Sequence, residues 1–180
     1  MRIIGGSLKG RKILLPKRFQ SRPTTDFARE GLFNYLENQF DLSSCSAADL
    51  FAGSGAISFE LVSRGCQKVI SLEIDRYNLQ ALHKNRTEWG LESTLTILRQ
   101  DAFKWAKKNS EVFEIIFLDP PFSFQSKFQT LVDNILASES LNSNGKLILE
   151  HPAEWENQNS DWNCETRKFG NQSFSIFEKA

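Results

Sequence analysis

Cysteine, histidine, proline and methionine are all scarce in this sequence of 180 residues: three, two, five and one. Cys45, Cys66 and Cys164 are odd in number and show no metal-ligand spacing, so neither a disulfide framework nor a zinc site is expected. No metal is expected at all. His83 lies in a charged helical stretch and His151 precedes a proline, and neither has a Ser or Cys partner that would signal a hydrolytic nucleophile. Long hydrophobic runs are missing as well. Stretches such as Ile115 to Leu118 fall far below the roughly 18 residues of a membrane span, and no signal-peptide pattern opens the chain. The expectation is a cytoplasmic protein with no membrane partner.

The length suits one domain, since domains commonly run to about 100 to 200 residues. The reading is a single domain over 1–180, with residues 1–23 as a basic N-terminal hairpin and linker and 24–180 as the core. A net charge of zero conceals an asymmetry. Residues 1–30 carry eight basic residues against Asp26 and Glu30, an excess of +6 that the remainder must balance with −6. A basic segment on an acidic body can grip a phosphate backbone, and equally can be a solvated arm.

RIIGGSLKGRKILLP (2–16) places apolar pairs on each side of a Gly- and Lys-containing middle and reads as a hairpin. Thr24 or Thr25 then caps a helix running to about Phe40, with Phe27, Ala28, Leu32, Tyr35 and Leu36 as its apolar face. From Cys45 on, apolar runs alternate with helical patterns. The strand candidates are 47–51, 68–73, 94–98, 114–118 and 146–150, and the helical candidates are 56–64, 76–89, 102–108 and 124–137. Strands apolar along their length, alternating with helices, predict a mostly parallel sheet covered on both faces. NCETRKFG and QSFSIFEK, around Gly170 and Asn171, predict an antiparallel hairpin at its edge.

The first strand-to-helix turn is DLFAGSGAISFE (49–60). Gly53 and Gly55 let the backbone approach a ligand, and the following helix offers its N-terminal amides. Ser58 stands where a dinucleotide fingerprint has its third glycine, so a purely structural tight turn is the alternative. The second strand ends in SLEID, placing Glu73 eighteen residues after Gly55, where an acid can accept hydrogen bonds from ribose hydroxyls. After the third strand, Asp101 and Ala102 can line an adenine pocket, or Asp101 can simply cap the next helix. The fourth strand ends in FLDPPF (117–122), at the same carboxyl edge as the turn. Its two prolines are rigid, have no N–H and leave their carbonyls as acceptors. Asp119 adds an acceptor, and Phe122 a flat face on which a heterocycle can stack. Two acceptors beside a ring suit an exocyclic amino group, held for attack on an electrophilic methyl.

With these motifs in order, the chain resembles Rossmann-like S-adenosylmethionine-dependent methyltransferases of the amino-methylating branch that carries [DN]-P-P-[YF]. RIIGGSLKGRKI, RPTTDFAREGLFN, DLFAGSGAISFELVSRG and DPPF together are similar to the RsmD family of bacterial 16S ribosomal RNA guanine-N2 methyltransferases, over nearly the whole chain. The resemblance implies a doubly wound, seven-stranded sheet and S-adenosyl-L-methionine as cofactor. It implies as substrate a guanine N2 amine in 16S rRNA, within the small ribosomal subunit or its assembly intermediate. By position, Asp49 and the turn Phe51, Ala52, Gly53, Ser54 and Gly55 would hold the methionine part. Glu73, with Ile74 beside it, would hold the ribose, and Asp101 with Ala102 the adenine. Asp119, Pro120, Pro121 and Phe122 would take the guanine. Arg22, Thr24 and Thr25 would lie near the methionine end or the target base. Arg2, Lys9, Arg11 and Lys12, with Arg22, would contact RNA. The stretches after DPPF and from Glu154 to Cys164 match no motif.

Other readings are weighed on residues. A nicotinamide dehydrogenase would share the glycine turn but gives DPPF no role. DNA adenine-N6 methylation also suits DPPF, yet expects a separate target-recognition region. Cytosine-C5 chemistry needs a cysteine nucleophile near Asp119. A non-catalytic RNA-binding module on the same fold would have no use for the cradle. A monomer is the default expectation.

Overall fold

Twelve α-helices and strands among the described residues account for the alternation in the sequence, and side-chain caps fix the start of α1, α3 and α4. The structure, a computed structural model, describes residues 1–17, 19 and 24–179; Arg22 and most of the linker before Thr24 lie outside the described residues. Helix α1 spans Asp26–Gln39 and is capped by Thr25, whose Oγ1 accepts from the Ala28 N–H at 3.2 Å. There follow β1 (Ser46–Asp49), α2 (Ala56–Ser63), β2 (Lys68–Glu73), α3 (Arg76–Glu88), β3 (Leu95–Arg99), α4 (Ala102–Lys108), β4 (Phe113–Leu118), α5 (Phe128–Ala137), β5 (Leu141–His151), β6 (Asn163–Phe169) and β7 (Gln172–Glu178). Asp75 caps α3 and Asp101 caps α4, each accepting a backbone N–H of its own first turn.

The seven strands order as β3-β2-β1-β4-β5-β7-β6. All pairs from β3 to β5 are parallel, and β7 runs antiparallel to both β5 and β6. The sheet is therefore doubly wound, with its topological switch between β1 and β4, and the C-terminal hairpin forms the antiparallel edge as expected. Successive strand residues face opposite layers. Ala47, Val69, Ile115, Phe117 and Ile148 join the core under α1, α2 and α3, while Ala48, Ile70, Ile116, Leu118 and Leu149 join the one under α4 and α5. Burial on both faces is why these strands read as continuous apolar runs. Among the described residues, no helix is long and apolar enough to cross a membrane.

Two expectations need adjusting. The helix anticipated from Phe124 begins as a 3-10 turn over Phe122–Lys127, and α5 starts only at Phe128. The prolines supply no N–H, and the turn is closed by Phe124, whose N–H bonds the Pro121 carbonyl at 2.8 Å. The N-terminal hairpin is reduced to one antiparallel bridge, Arg2 with Lys12. It is held by Ile3 N–H to Arg11 O at 3.0 Å and Gly10 N–H to Ile3 O at 2.9 Å.

A ladder is unnecessary because the arm is fastened to helices instead. Glu60 of α2, wholly buried, accepts from Ile4 N–H at 2.8 Å and Gly5 N–H at 2.7 Å. Asn85 of α3 pairs with both the N–H and the carbonyl of Leu14 at 2.9 Å. Between these anchors Ile3, Leu8 and Ile13 are buried in the same core as α1 and α2. Glu60 also faces Arg64 at 2.9 Å and the buried Arg29 at 4.0 Å, so its charge is balanced on the inside. Glu60→Ala strands two backbone donors and removes the carboxylate that faces Arg64 and Arg29. It should cost about 2–4 kcal/mol in a urea unfolding series, against less than about 0.5 for the exposed control Glu92→Ala.

Candidate active site

Parallel strands end together, so the residues that follow β1, β2, β3, β4 and β5 meet along one edge of the sheet. Five carboxyl groups are brought there: Asp49, Glu73, Asp101, Asp119 and Glu150.

The turn between β1 and α2 places two glycines in conformations that L side chains rarely adopt. Gly53 and Gly55 have φ of +52° and +80°, in the left-handed region. A Cβ at Gly55 would lie 2.4 Å from Leu82 Cδ2 and 2.6 Å from the Phe59 ring, so glycine is needed there for the start of α2 to pack. A Cβ at Gly53 would face open space, with the Phe51 carbonyl oxygen, at 3.9 Å, its one neighbour within 4 Å. Gly55, at the start of helix α2, has no side chain to cap it, and a helix N-terminus of this kind presents its amides toward an anion. Ser54 Oγ accepts from Ala56 N–H at 3.3 Å and reaches Met1 Sδ at 3.2 Å, bringing the start of the chain to the rim of this turn.

Beneath the turn Asp49 is almost fully buried. Its Oδ2 accepts from Ser58 Oγ at 2.6 Å, and Ser58 in turn accepts from Ser71 Oγ at 2.6 Å. The serine at the third-glycine position thus holds the acid in place. Asp49 Oδ1 has no hydrogen-bond partner among the described residues. Burial pushes this carboxyl up to about 6; the Ser58 hydrogen bond opposes that rise, and the charge of Glu73 adds to it.

Glu73 is half-buried and braced by four donors. Oε1 accepts from Ile74 N–H at 2.7 Å and Asp75 N–H at 2.9 Å; Oε2 accepts from Gly53 N–H at 2.9 Å and Asn78 Nδ2 at 3.2 Å. The acid and the glycine turn, separate signals in the sequence, are one hydrogen-bonded unit. Ile74 stands 57% exposed beside it, an apolar face at the mouth of the site. Asp101 caps α4 through Lys104 N–H at 2.9 Å, the second of its two anticipated uses, and Ala102 is buried as the first residue of that helix. An aromatic chain crosses the same edge. Phe51 of the glycine turn meets Phe103 at 6.1 Å between centroids, and Phe103 meets Phe124 at 5.9 Å, both edge to face.

Asp119 closes the other half. Pro120 is buried, Pro121 exposed, and Phe122 presents its ring 57% exposed. Only one of the two proline carbonyls is available: Pro121 O is taken by Phe124 N–H, whereas Pro120 O accepts no backbone hydrogen bond among the described residues. Burial, then the charges of Glu150 and Asp49, hold the Asp119 carboxyl well above the usual carboxylate range. Glu150 was missed as a site residue. Leu118 pairs with Leu149, so Asp119 and Glu150 follow as register neighbours at the tips of adjacent parallel strands. Glu150, 6% exposed, accepts from Thr24 Oγ1 at 2.7 Å and from Gln172 Nε2 at 2.8 Å. Gln172 Oε1 accepts from Thr25 Oγ1 at 2.8 Å and Thr25 N–H at 3.1 Å. Thr25 therefore belongs to the Asp119 side of the site, tied there through the cap of α1. A strand-end glutamate in line with Glu73 and Asp119 was the available signal for Glu150; its partners, Thr24 and Gln172, are distant in sequence.

The cationic residues divide. Arg2 is paired with Asp26 at 3.3 Å, and the Arg11 guanidinium lies 5.7 Å from the centre of the Trp89 ring. Lys9 and Lys12 are exposed and make no salt bridge among the described residues. No cluster of His, Cys, Asp and Glu among the described residues is arranged to hold a metal ion.

The model of the family described as conserved hypothetical protein 95 matches residues 1–178. The Bacillus subtilis protein YlbH is 35% identical over 159 residues, 87% of this chain and 85% of its own. Ribosomal RNA small subunit methyltransferase D of Escherichia coli K12 is 36% identical over 145 residues, 78% of this chain and 72% of its own. Among solved structures, the Escherichia coli protein yhhF superposes with a TM-score of 0.85 at 28% identity, covering 100% of this chain and 99% of that one. Matched along almost all its length, the chain belongs to this family, the RsmD methyltransferases.

Proposed function

We propose that this methyltransferase, whose cofactor is S-adenosylmethionine, methylates the N2 amine of one guanine in 16S rRNA, in the small ribosomal subunit or its assembly intermediate. The relatives named ribosomal RNA small subunit methyltransferase D support the substrate class. The observation that carries the reading is the Asp119 corner. A carboxyl, a free peptide carbonyl and an exposed ring converge at a strand tip beside the glycine turn, whose Asp49 bears directly on Asp119's charge.

The residues present fit the cofactor. The unpartnered Asp49 Oδ1 is an acceptor for the methionine ammonium, and the uncapped α2 amides suit its carboxylate. Glu73 and Ile74 would take the ribose and the adjacent ring, with Asp101 and Ala102 at the adenine edge. Bound there, the cofactor supplies an electrophilic methyl on a sulfonium. The chain's own residues do the rest. Phe122 would stack on the guanine, while the Asp119 carboxylate and Pro120 carbonyl would accept the two N–H bonds of its amine. Those bonds hold the nitrogen in line and draw its lone pair out of conjugation with the ring. The surplus proton leaves through the same hydrogen bonds, with Asp119 its first acceptor. Lys9 and Lys12, with Arg2 and Arg11, would meet the phosphates. The molecule acts as a single domain and as a monomer in this reading.

Three outcomes test it. Asp119→Ala should lose methyl transfer by about 100-fold or more in a tritium-transfer assay, with the thermal shift on adding S-adenosylmethionine retained. The acceptor must be ionised, so kcat/KM should climb as pH rises through the elevated Asp119 pKa. Asp119→Asn keeps an acceptor that does not titrate and should flatten that limb.

Asp49 gives a stability test of known sign. Its folded pKa of about 6 exceeds the unfolded value near 3.8, so the native state holds an extra proton between them, and stability falls as pH rises through that window. Asp49→Asn should therefore raise the melting temperature at pH 8, where the charged form costs roughly 1–3 kcal/mol, and raise it less at pH 5, while weakening cofactor binding at either pH.

Finally, Lys9→Ala with Lys12→Ala should reduce the slope of log affinity against log salt by about 1.4–1.8 on rRNA. An unchanged slope would remove both lysines from the interface.

A further inference from the structure

Apart from the glycine turn, a recess of about 610 Å³ lies between the 3-10 turn Phe122–Lys127 and the loop that follows β5. Its lining is Gln125, Ser126 and Gln129 on one side and Glu154, Trp155, Glu156 and Gln158 on the other. One wall follows Asp119–Phe122 along the chain and the other follows Glu150 and His151, so both segments that line the recess run on from the corner to which the target guanine is assigned.

We infer that this recess is a second nucleobase subsite, which takes the nucleotide next to the target in the RNA strand by the N–H edge of its base. The inference rests on the reading of the reaction given above and extends it to a stretch of chain that matched no motif.

Three features support it. The wall is built, although the loop has no regular structure. Gln129 Oε1 accepts from Gln158 N–H at 2.9 Å, and its Nε2 donates to Asn157 Oδ1 at 3.2 Å and to Asp133 Oδ1 at 3.0 Å. Asn159 Nδ2 donates to the same Asp133 oxygen at 2.8 Å, so the loop is pinned to α5 by its amides. The indole of Trp155 is half-buried and fixed. It lies 4.8 Å from the ring of His151, whose two nitrogens are themselves held at 2.8 Å by Pro152 O and Ser175 Oγ. A fixed aromatic ring in a polar recess is what a splayed single-stranded base stacks upon. The third feature is charge. The lining has two carboxylates, three carboxamides and no cation, which repels a phosphate but accepts from base amino and imino groups. The volume falls within the roughly 300–1,000 Å³ usual for ligand sites, ample for one base.

The test uses small-subunit particles from cells lacking the gene, with methyl transfer followed at varied particle concentration. Glu154→Gln combined with Glu156→Gln keeps shape and removes the charged acceptors; Trp155→Ala removes the ring and Trp155→Phe restores one. For the double variant and for Trp155→Ala, KM for particles should rise fivefold or more, with kcat within twofold and the S-adenosylmethionine thermal shift unchanged. Trp155→Phe should recover most of the loss. If the carboxylates merely repel RNA, the double variant lowers KM, and that overturns the subsite, as does an unchanged KM. Should Trp155→Ala fail to fold, the double variant decides alone. Absence of transfer by the unaltered protein overturns the reaction assignment and the subsite with it; transfer with unmoved KM overturns only the subsite.

Discussion

Carboxyl groups crowd the tips of adjacent parallel strands, and the fold must hold them there against their mutual repulsion and the cost of burial. It does so with neutral donors rather than cations. Glu73 takes three backbone amides and one side-chain amide, Glu150 a hydroxyl and a carboxamide, and Asp49 a serine hydroxyl. A lysine or arginine in the same place would neutralise the edge and compete with a cationic ligand for the same acceptors. Hydrogen bonds from neutral groups leave the field negative and fix each oxygen in direction. What is left over is specific: Asp49 Oδ1 lacks a partner among the described residues, and Asp119 keeps an elevated affinity for a proton.

Two cations with buried side chains, Arg29 and Arg64, lie under the N-terminal arm. Arg29 and Arg64 converge on Glu60, and Glu60 also holds the backbone of Ile4 and Gly5. Arg29 Nη2 donates to Arg2 O at 2.8 Å, so the arm is gripped from α1 as well as α2. The excess positive charge of residues 1–30 is thus of two kinds. Part of it, Arg29 above all, is structural and inward; Lys9 and Lys12 point to solvent. A count of charges could not separate the two, because the separation depends on a glutamate some 55 residues farther along the chain.

Legibility followed the range of the interaction. β2 and α4 were read with both boundaries right, since two-faced burial and a capping aspartate are written within a few residues of each element. The glycine turn, Glu73 and Asp119 were legible because the chemistry that places them is local and their common edge follows from parallel pairing alone. Ser58 was read as a defect in a glycine fingerprint and is a positioning residue for Asp49, a role visible only once Ser71 is across from it. Glu150 joins Thr24 over 126 residues, and no spacing rule reaches that far. The proline pair was read as two free carbonyls; one is consumed in closing the next turn, where the Phe124 N–H bonds the Pro121 carbonyl.

The elevated proton affinity of Asp119 bears on how such a corner can work. A carboxyl whose proton affinity is raised by burial and by neighbouring charges accepts less readily from an amine. Two N–H donors from a base, a cationic sulfonium nearby and an ammonium on Asp49 would each favour the ionised form, and their effects add because all act through the same crowded field. The carboxyl would then release its proton as ligands arrive and become a competent acceptor only when both are in place. After transfer, the aminium meets an acceptor whose surroundings raise its basicity. In the proposed reaction, the repulsion between Asp119, Glu150 and Asp49 would thus couple cofactor occupancy to the capture of the target amine.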